Sequence, residues 1–185
     1  MKKNLLFPFL GVLIALFIMS CVKDTNFDQA QEVTLTPIVE LDLIYFNLDA
    51  GDFFDTVSST PRLTITDTTD IRFLDDTGTQ ESLKKADFLF VFTNSIPRNF
   101  QADFQFLDSL NTETYFTSTF VAMGTQANPV VTEFTQTVEG AEILQLTQAD
   151  KVMVSVTIPS SDASLEGALN LKSKTTYYLE IKERD

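Results

Sequence analysis

A short segment with strict alternation of apolar and polar residues limits the choice of fold more than any other part of this chain. In an extended conformation, residues 100–106 place four apolar side chains on one face and three polar side chains on the other. The apolar set is Phe100, Ala102, Phe104 and Phe106, and the polar set is Gln101, Asp103 and Gln105. This pattern predicts a β-strand with one buried face and one solvated face.

Similar runs recur along the chain after residue 33. We predict further strands at residues 40–48, 71–74, 88–93, 114–122, 130–138, 152–158 and 168–181, the last broken near Ser173. Polar turns separate these runs, and many Val, Ile and Thr residues suit a pleated, half-buried surface. We therefore predict an all-β fold, an antiparallel two-sheet sandwich of immunoglobulin-like or related type. Residues 79–86 and 147–150 predict one or two short helical turns.

The first 21 residues follow the order of an export signal. Lys2 and Lys3 precede fifteen mostly apolar residues, 5–19, and Ser20 stands directly before Cys21, the only cysteine. A membrane-spanning helix needs about 20 such residues, and this run is shorter and contains Pro8. A buried core helix is disfavoured because residues 12–19 are apolar on every side. We interpret residues 1–20 as a cleaved signal peptide.

The residues before Cys21, Ile18-Met19-Ser20, resemble the lipobox of bacterial lipoprotein precursors. The resemblance implies that the Cys21 sulfur receives a diacylglycerol, that residues 1–20 are removed, and that the new amino terminus is acylated. Two or more acyl chains make membrane attachment durable. Cys21 would then be unavailable for disulfide, metal or nucleophilic chemistry, and the membrane would be a partner through the lipid alone.

Residues 21–32 are polar and lack apolar periodicity, which predicts a flexible tether in front of a single domain at residues 33–185. Residues 22–28 resemble the tethers of flavobacterial-type Bacteroidetes envelope lipoproteins. This resemblance implies a cell-envelope location at the outer membrane, with the periplasmic and surface faces both left open.

The charge of the exported part limits its partners. Residues 1–20 contain two lysines and no acidic residue, so 11 basic and 26 acidic residues remain, a net charge of −15 over 165 positions. Nucleic acids and anionic lipid headgroups are bound by patches of Lys and Arg, so we predict neither as a partner. The acidic side chains are expected to form a solvated surface.

The residue inventory excludes several kinds of active site. The chain has no histidine, which removes the common general base and the usual ligand of zinc, copper and iron. The six glycines form no phosphate-binding loop. Ser173 lies between Lys172 and Lys174, but no supporting motif accompanies this triplet, so a turn or strand edge is favoured. We predict that the protein is not an enzyme.

Carboxylates remain as candidates for binding a cation. One group, Asp67, Asp70, Asp75 and Asp76, precedes Thr77-Gly78, and a second group, Asp49, Asp52 and Asp55, surrounds Gly51. Calcium prefers such oxygen ligands, but Asp and Gly are also ordinary turn residues between strands, and we favour that interpretation. We therefore expect no cofactor apart from the lipid, with calcium as the open alternative.

Two further sets of residues are candidate modification or contact sites. Thr56, Thr68 and Ser109 lie in three-residue segments similar to the O-glycosylation sequons of exported Bacteroidetes proteins. Phe53 and Phe54 are adjacent, so an extended chain points them to opposite faces. We predict them as an exposed contact, with burial of one ring left open.

Five other phenylalanines have the alternation expected between two sheets. They are Phe88, Phe90, Phe92, Phe104 and Phe106, and we predict them in the core.

Three functions are compatible with these observations. We favour a lipid-anchored, non-enzymatic structural or interaction module that binds another envelope protein. The alternatives are a surface lipoprotein that binds glycans or cations, which needs a concave polar site, and a hydrolase with paired carboxylates, which needs two of them close together.

Overall fold

The computed structural model describes residues 34–182. Residues Thr34–Ile181 form one compact unit. The predicted signal peptide, Cys21 and the tether lie outside the described residues. No helix in the described part of the chain is long and apolar enough to cross a membrane.

Twelve strands, numbered in chain order, make up most of the described chain. They are β1 Thr34–Leu35, β2 Ile38–Asp49, β3 Phe54–Asp55, β4 Thr60–Pro61, β5 Thr64–Asp70, β6 Leu83–Asn94, β7 Phe100–Leu107, β8 Glu113–Val121, β9 Val130–Glu139, β10 Lys151–Thr157, β11 Ala168–Leu179 and β12 Ile181–Lys182. Two short α-helices, Thr77–Ser82 and Ile143–Leu146, and three 3-10 turns, Ala50–Phe53, Arg72–Leu74 and Gly140–Glu142, interrupt them. The all-β prediction with one or two short helical turns is confirmed, but the turns are displaced from the predicted segments. Residues 83–86 of the predicted turn at 79–86 belong to β6, and the predicted turn at 147–150 follows the helix Ile143–Leu146 instead of forming one.

Eight long strands form two four-stranded antiparallel sheets. Sheet I has the order β2-β11-β6-β9, and sheet II has the order β5-β10-β7-β8. The chain passes between the sheets at nearly every connection, so neighbours within a sheet are mostly distant in sequence. This is the strand order of an eight-stranded jelly roll. The predicted sandwich is therefore confirmed, with jelly-roll connections.

Aromatic side chains from facing strands fill the space between the sheets. Phe88, Phe90 and Phe92 of β6 and Phe104 and Phe106 of β7 are completely buried, as the alternation predicted. The rings meet across the sandwich, with centroid separations of 3.8 Å for Phe90 and Phe104 and 5.0 Å for Phe88 and Phe106. Such aromatic contacts add packing energy to the burial of large apolar surfaces.

Two features of the predicted strands also differ in the structure. The strand lies at Thr64–Asp70, and the predicted strand at 71–74 is mainly the 3-10 turn Arg72–Leu74. The strand was missed because Ile65 is its only large apolar residue.

The predicted break near Ser173 is a β-bulge in the continuous strand β11. There the Ser173 hydroxyl donates to the Ile44 carbonyl oxygen at 2.6 Å and accepts from the Ile44 amide at 3.0 Å.

The sandwich has two ends with different roles in the chain path. The entry end contains Thr34, from which the chain continues toward Cys21, and the connections 71–82, 108–112 and 140–150. At this end the Leu179 amide donates to the Pro37 carbonyl oxygen at 3.0 Å. The opposite end contains the connections 50–63, 95–99, 122–129 and 158–167. A surface groove lies between the last three of these connections, so this end is called the groove end.

Candidate functional site

A groove of about 440 Å³, lined by polar residues together with Pro97, Ala127 and Leu165, lies at the groove end. Its walls come from three connections that are distant in sequence: 95–99, 122–129 and 158–167. Serine, threonine and glutamine side chains share the groove with one guanidinium and two carboxylates. This depression in a filled sandwich is the best candidate for a binding site, because polar groups from several loops converge on it.

Asn94, the last residue of β6, holds two of these loops together. Its side chain is completely buried. The amide nitrogen donates to the carbonyl oxygens of Arg98 at 2.8 Å and Ala122 at 2.9 Å, and the side-chain oxygen accepts from the Ile96 amide at 2.8 Å. Three hydrogen bonds from one buried side chain fix both loops in one arrangement.

Two glycines allow the loops to approach this closely. A Cβ atom at Gly124 would lie 1.9 Å from the Asn94 carbonyl oxygen, and one at Gly167 would lie 2.4 Å from the Ser95 carbonyl oxygen. Gly167 also has a φ of +111°, which L side chains rarely adopt. Larger residues at either position would therefore push the groove walls apart.

Ser95 attaches the third loop to the other two. Its amide donates to the Ala168 carbonyl oxygen at 2.9 Å, and its hydroxyl accepts from the Ala168 amide at 2.8 Å. Ala168 directly follows Gly167 at the start of β11. The three walls are thus linked by main-chain and side-chain hydrogen bonds before any ligand arrives.

The charged groups of the groove are partly neutralised by each other. Arg98 donates from Nε to the Ser160 hydroxyl at 3.2 Å and from Nη1 to the Pro97 carbonyl oxygen at 2.8 Å. Its Nη2 lies 3.9 Å from an oxygen of Asp162. Ser164 donates to Asp162 from its hydroxyl and its amide, and these hydrogen bonds lower the pKa of the Asp162 carboxyl. The groove therefore presents fixed charges of both signs at neutral pH.

The predicted carboxylate group Asp67, Asp70, Asp75 and Asp76 is not brought together as a cation site. Asp67 accepts from the Thr68 amide at 2.8 Å, and an Asp70 carboxylate oxygen lies 3.7 Å from Nη2 of Arg72. Asp76 caps a helix by accepting from the Thr79 amide at 2.8 Å. The hydrogen bonds from Thr79 lower the pKa of Asp76. Within residues 34–182, no three His, Cys, Asp or Glu side chains are placed to hold a metal ion.

The second predicted group also serves local turns. Asp52 accepts from the Asp49 amide at 2.8 Å, and Asp55 accepts from the amides of Val57 at 2.8 Å and Ser58 at 3.2 Å. Hydrogen bonds from Ser58 and then Val57 lower the pKa of Asp55. These contacts match the turn interpretation that the sequence favoured.

The three candidate glycosylation acceptors are all exposed. Thr56 lies in the turn between β3 and β4, Thr68 lies on the edge strand β5, and Ser109 lies in the turn between β7 and β8.

Of the predicted contact pair Phe53 and Phe54, the structure buries one ring, which is the alternative that the sequence left open. The Phe53 side chain is completely buried, with its ring centroid 5.4 Å from that of Phe100. Phe54 is half-buried in the short strand β3. Phe53 is the last residue of the 3-10 turn Ala50–Phe53, and Phe54 begins β3.

Sequence reasoning missed the groove residues Asn94, Arg98 and Asp162. One of them had a usable signal, because Asn94 continues the inward-facing positions of Phe88, Phe90 and Phe92 at steps of two. A polar residue at a buried position needs hydrogen-bond partners, so Asn94 marks an organised loop. Arg98 and Asp162 had no such signal, since they lie in irregular loops.

No protein-family model matches the chain, and a search of curated proteins found no match either. Among solved structures, the chain is similar to the VP2 subviral particle of infectious bursal disease virus, with a TM-score of 0.47 and 8% identity over 77% of this chain and 32% of that one. A candidate secreted protein from Parabacteroides distasonis gives a TM-score of 0.46 and 13% identity over 66% of this chain and 38% of that one. The enzymatically active domain of bacteriophage CBA120 tailspike protein 4 gives a TM-score of 0.36 and 12% identity over 83% of this chain and 20% of that one. The chain thus spans less than two-fifths of each of these structures.

Proposed function

We propose that this protein is a lipid-anchored, non-enzymatic interaction module of the cell envelope that binds another envelope protein in its groove. The observation on which this proposal depends is the groove, whose walls are fixed by Asn94, Ser95 and two glycines. A preformed site loses little conformational entropy when its partner binds.

The position of the groove supports a role in presentation. The chain enters the domain from Cys21 at Thr34, and the groove lies at the opposite end of the sandwich. The strands between the two ends have up to twelve residues, as in β2 and β11, which corresponds to about 40 Å. An acylated Cys21 and its tether would attach the domain to the outer membrane at the end opposite the groove, so the attachment itself would leave the groove accessible to partners.

The chemistry of the groove supports binding rather than catalysis. The hydroxyls of Ser95 and Ser164 are occupied, since they donate to the Ala168 carbonyl oxygen and the Asp162 carboxylate. No histidine exists to activate either one. Arg98, Asp162 and Glu166 instead offer both signs of charge to a polar protein segment. We propose no cofactor apart from the lipid and no nucleic-acid partner.

The test is site-specific photo-crosslinking in whole cells, with a photoreactive amino acid in place of Gln126 in the groove. We expect one dominant adduct with an envelope protein, and we expect Arg98→Gln to remove it. The matched control carries the same amino acid at Thr135, an exposed position on the outer face of β9. Identical adducts from both positions, or an adduct that Arg98→Gln leaves unchanged, would contradict binding in the groove.

The anchor is checked on the same material by intact mass of the membrane fraction beside a Cys21→Ala variant. We expect an acylated chain that begins at Cys21, and we expect the variant to lose both the added mass and the membrane association. An unmodified chain in the soluble fraction would contradict the lipid anchor. Protease treatment of whole cells then decides between the periplasmic and surface faces.

A further inference from the structure

Two exposed aromatic rings lie on the outer face of sheet II, away from the groove. Phe116 is 47% exposed and Phe120 is 71% exposed. Both belong to β8, which within residues 34–182 is an edge strand paired with β7 alone. They are four residues apart, so they point to the same face at a separation of about 13 Å along the strand.

Each ring has a glutamine directly opposite on β7. Phe120 is in register with Gln101, and Phe116 is in register with Gln105. The Gln101 amide donates to the Asp103 carboxylate at 2.8 Å, and the Gln105 amide donates to the Glu113 carboxylate at 2.9 Å. The same set of groups, one ring with one amide and one carboxylate, therefore occurs twice on this face.

Hydroxyl groups continue the surface on the other two strands of the sheet. Ser155 and Thr157 of β10 lie opposite Asp103 and Gln101 in register. The Thr157 hydroxyl lies 3.0 Å from that of Thr64, and the Ser155 hydroxyl lies 3.1 Å from that of Thr66. The same face of β10 also carries Met153, opposite Gln105, and Lys151 at the strand's start. The four strands thus form a mainly polar face with two rings at its edge.

The arrangement of the polar groups argues against a protein docking on these rings. Ser118 lies between Phe116 and Phe120 on β8 and is exposed, so the rings do not form one continuous apolar patch. No lysine or arginine belongs to the two sets, which argues against a phosphate or another anion. Amides, carboxylates and hydroxyls with a ring beside them are instead complementary to an uncharged molecule that has many hydroxyl groups and apolar C–H faces.

We propose that this face of sheet II binds a neutral oligosaccharide. Phe116 and Phe120 each lie against the C–H face of one sugar ring. Gln101 and Asp103 bind the hydroxyls of one sugar, and Gln105 and Glu113 bind those of the other. The carboxylates accept the stronger, charge-assisted O–H hydrogen bonds. The separation of the rings requires two sugars that are not adjacent in the chain. This site is independent of the groove and of the lipid anchor.

The test is a binding assay on an array of neutral oligosaccharides. Isothermal titration calorimetry then measures the affinity for the hexasaccharide that gives the strongest signal on the array. The full-length protein is purified in detergent from whichever cell fraction contains it. We expect Phe120→Ser and Phe116→Ser each to weaken binding about tenfold or more, and the double variant to abolish it. Gln101→Ala is expected to weaken binding as well.

The matched control is Leu144→Ser, a substitution at the entry end where the side chain is 68% exposed. It should leave oligosaccharide affinity unchanged, as should Arg98→Gln in the groove. Arg98→Gln changes the groove and not sheet II. A loss of the groove crosslink with unchanged oligosaccharide affinity in this variant therefore shows that the two sites act separately. The midpoint of thermal unfolding should be equal in the sheet II variants and the wild type, because the altered side chains lie on the outer face of the sheet.

Three results would overturn the proposal. The first is an array with no neutral ligand above background. The second is binding that the two phenylalanine substitutions leave unchanged. The third is a concentration-dependent dimer in sedimentation velocity that Phe120→Ser dissolves, which would show that a second copy of this chain covers the rings.

Discussion

The phenylalanines of β7 and those of β8 lie on neighbouring hydrogen-bonded strands but face opposite sides of sheet II. Phe104 and Phe106 of β7 are completely buried against sheet I, whereas Phe116 and Phe120 of β8 are exposed. The register explains the difference, because Phe116 and Phe120 lie opposite the outward residues Gln105 and Gln101. The position along a strand, rather than the residue type, therefore decides whether a ring supports folding or is available for binding.

Tyrosine and asparagine show the same division between inner and outer positions. Tyr177 is 1% exposed and Tyr45 is 81% exposed. Asn94 is completely buried, whereas Asn47 on β2 is exposed. Each pair allows the same substitution to be made at an inner and an outer position of one domain, so the effect of location can be measured with the chemistry held constant.

The phenylalanine pair should show the largest difference in stability. Phe104→Ala removes a ring that packs against Phe90 and Phe92, and we expect it to lower the free energy of unfolding by about 3–5 kcal/mol. Phe120→Ala should change it by less than about 0.5 kcal/mol. Urea denaturation of both variants measures the difference. Similar losses at the two positions would contradict the outward orientation of Phe120.

The asparagine pair should show the next largest effect. Asn94→Ala leaves the Ile96 amide and the carbonyl oxygens of Arg98 and Ala122 without their partner. We expect a loss of about 2–3 kcal/mol, together with loss of the crosslink from the groove. Asn47→Ala should have an effect within about 0.5 kcal/mol. If Asn94→Ala unfolds at the wild-type denaturant concentration, Asn94 does not hold the loops together.

The tyrosine pair should differ only in alkaline solution. Burial raises the pKa of Tyr177 to about 12, so between pH 10 and 12 the folded protein keeps a proton that the unfolded chain loses. The free energy of unfolding should therefore fall as the pH rises through this range, by roughly 2–3 kcal/mol in total from this group. Stability curves at pH 8, 10 and 11.5 should show a smaller fall for Tyr177→Phe. Tyr45→Phe should behave like the wild type, and an equal fall in both variants would contradict the assignment.

The sequence predicted the sandwich and its aromatic core because alternation directly encodes which face of a strand is buried. The same periodicity identifies Asn94 as an inner residue once β6 is placed. It could not reveal β5, where Thr and Asp dominate and Ile65 alone faces the core as a large apolar residue. Strand order was also out of reach, since jelly-roll neighbours such as β2 and β11 are more than a hundred residues apart.

The candidate site was harder to predict than the fold. Several of the carboxylates that the sequence singled out, Asp55 and Asp76 among them, serve turns or cap a helix, because local hydrogen bonds to backbone amides satisfy them. The groove combines loops from three places in the chain, and no local pattern predicts that Arg98 and Asp162 meet. Register between strands, which only the structure provides, was also needed to align Phe116 and Phe120 with their glutamines.

The most direct test of a lipid-anchored module that presents its groove to partners is a distance measurement from the membrane. Cys21 is the only native cysteine, so Gln126→Cys in the groove and Leu144→Cys at the entry end can each be labelled with one donor dye. The protein is reconstituted in vesicles that contain an acceptor lipid. We predict more efficient energy transfer from position 144 than from position 126, because the tether is attached at the entry end and about 40 Å separates the two ends. Equal transfer from both positions, stronger transfer from position 126, or no transfer from either would contradict this account.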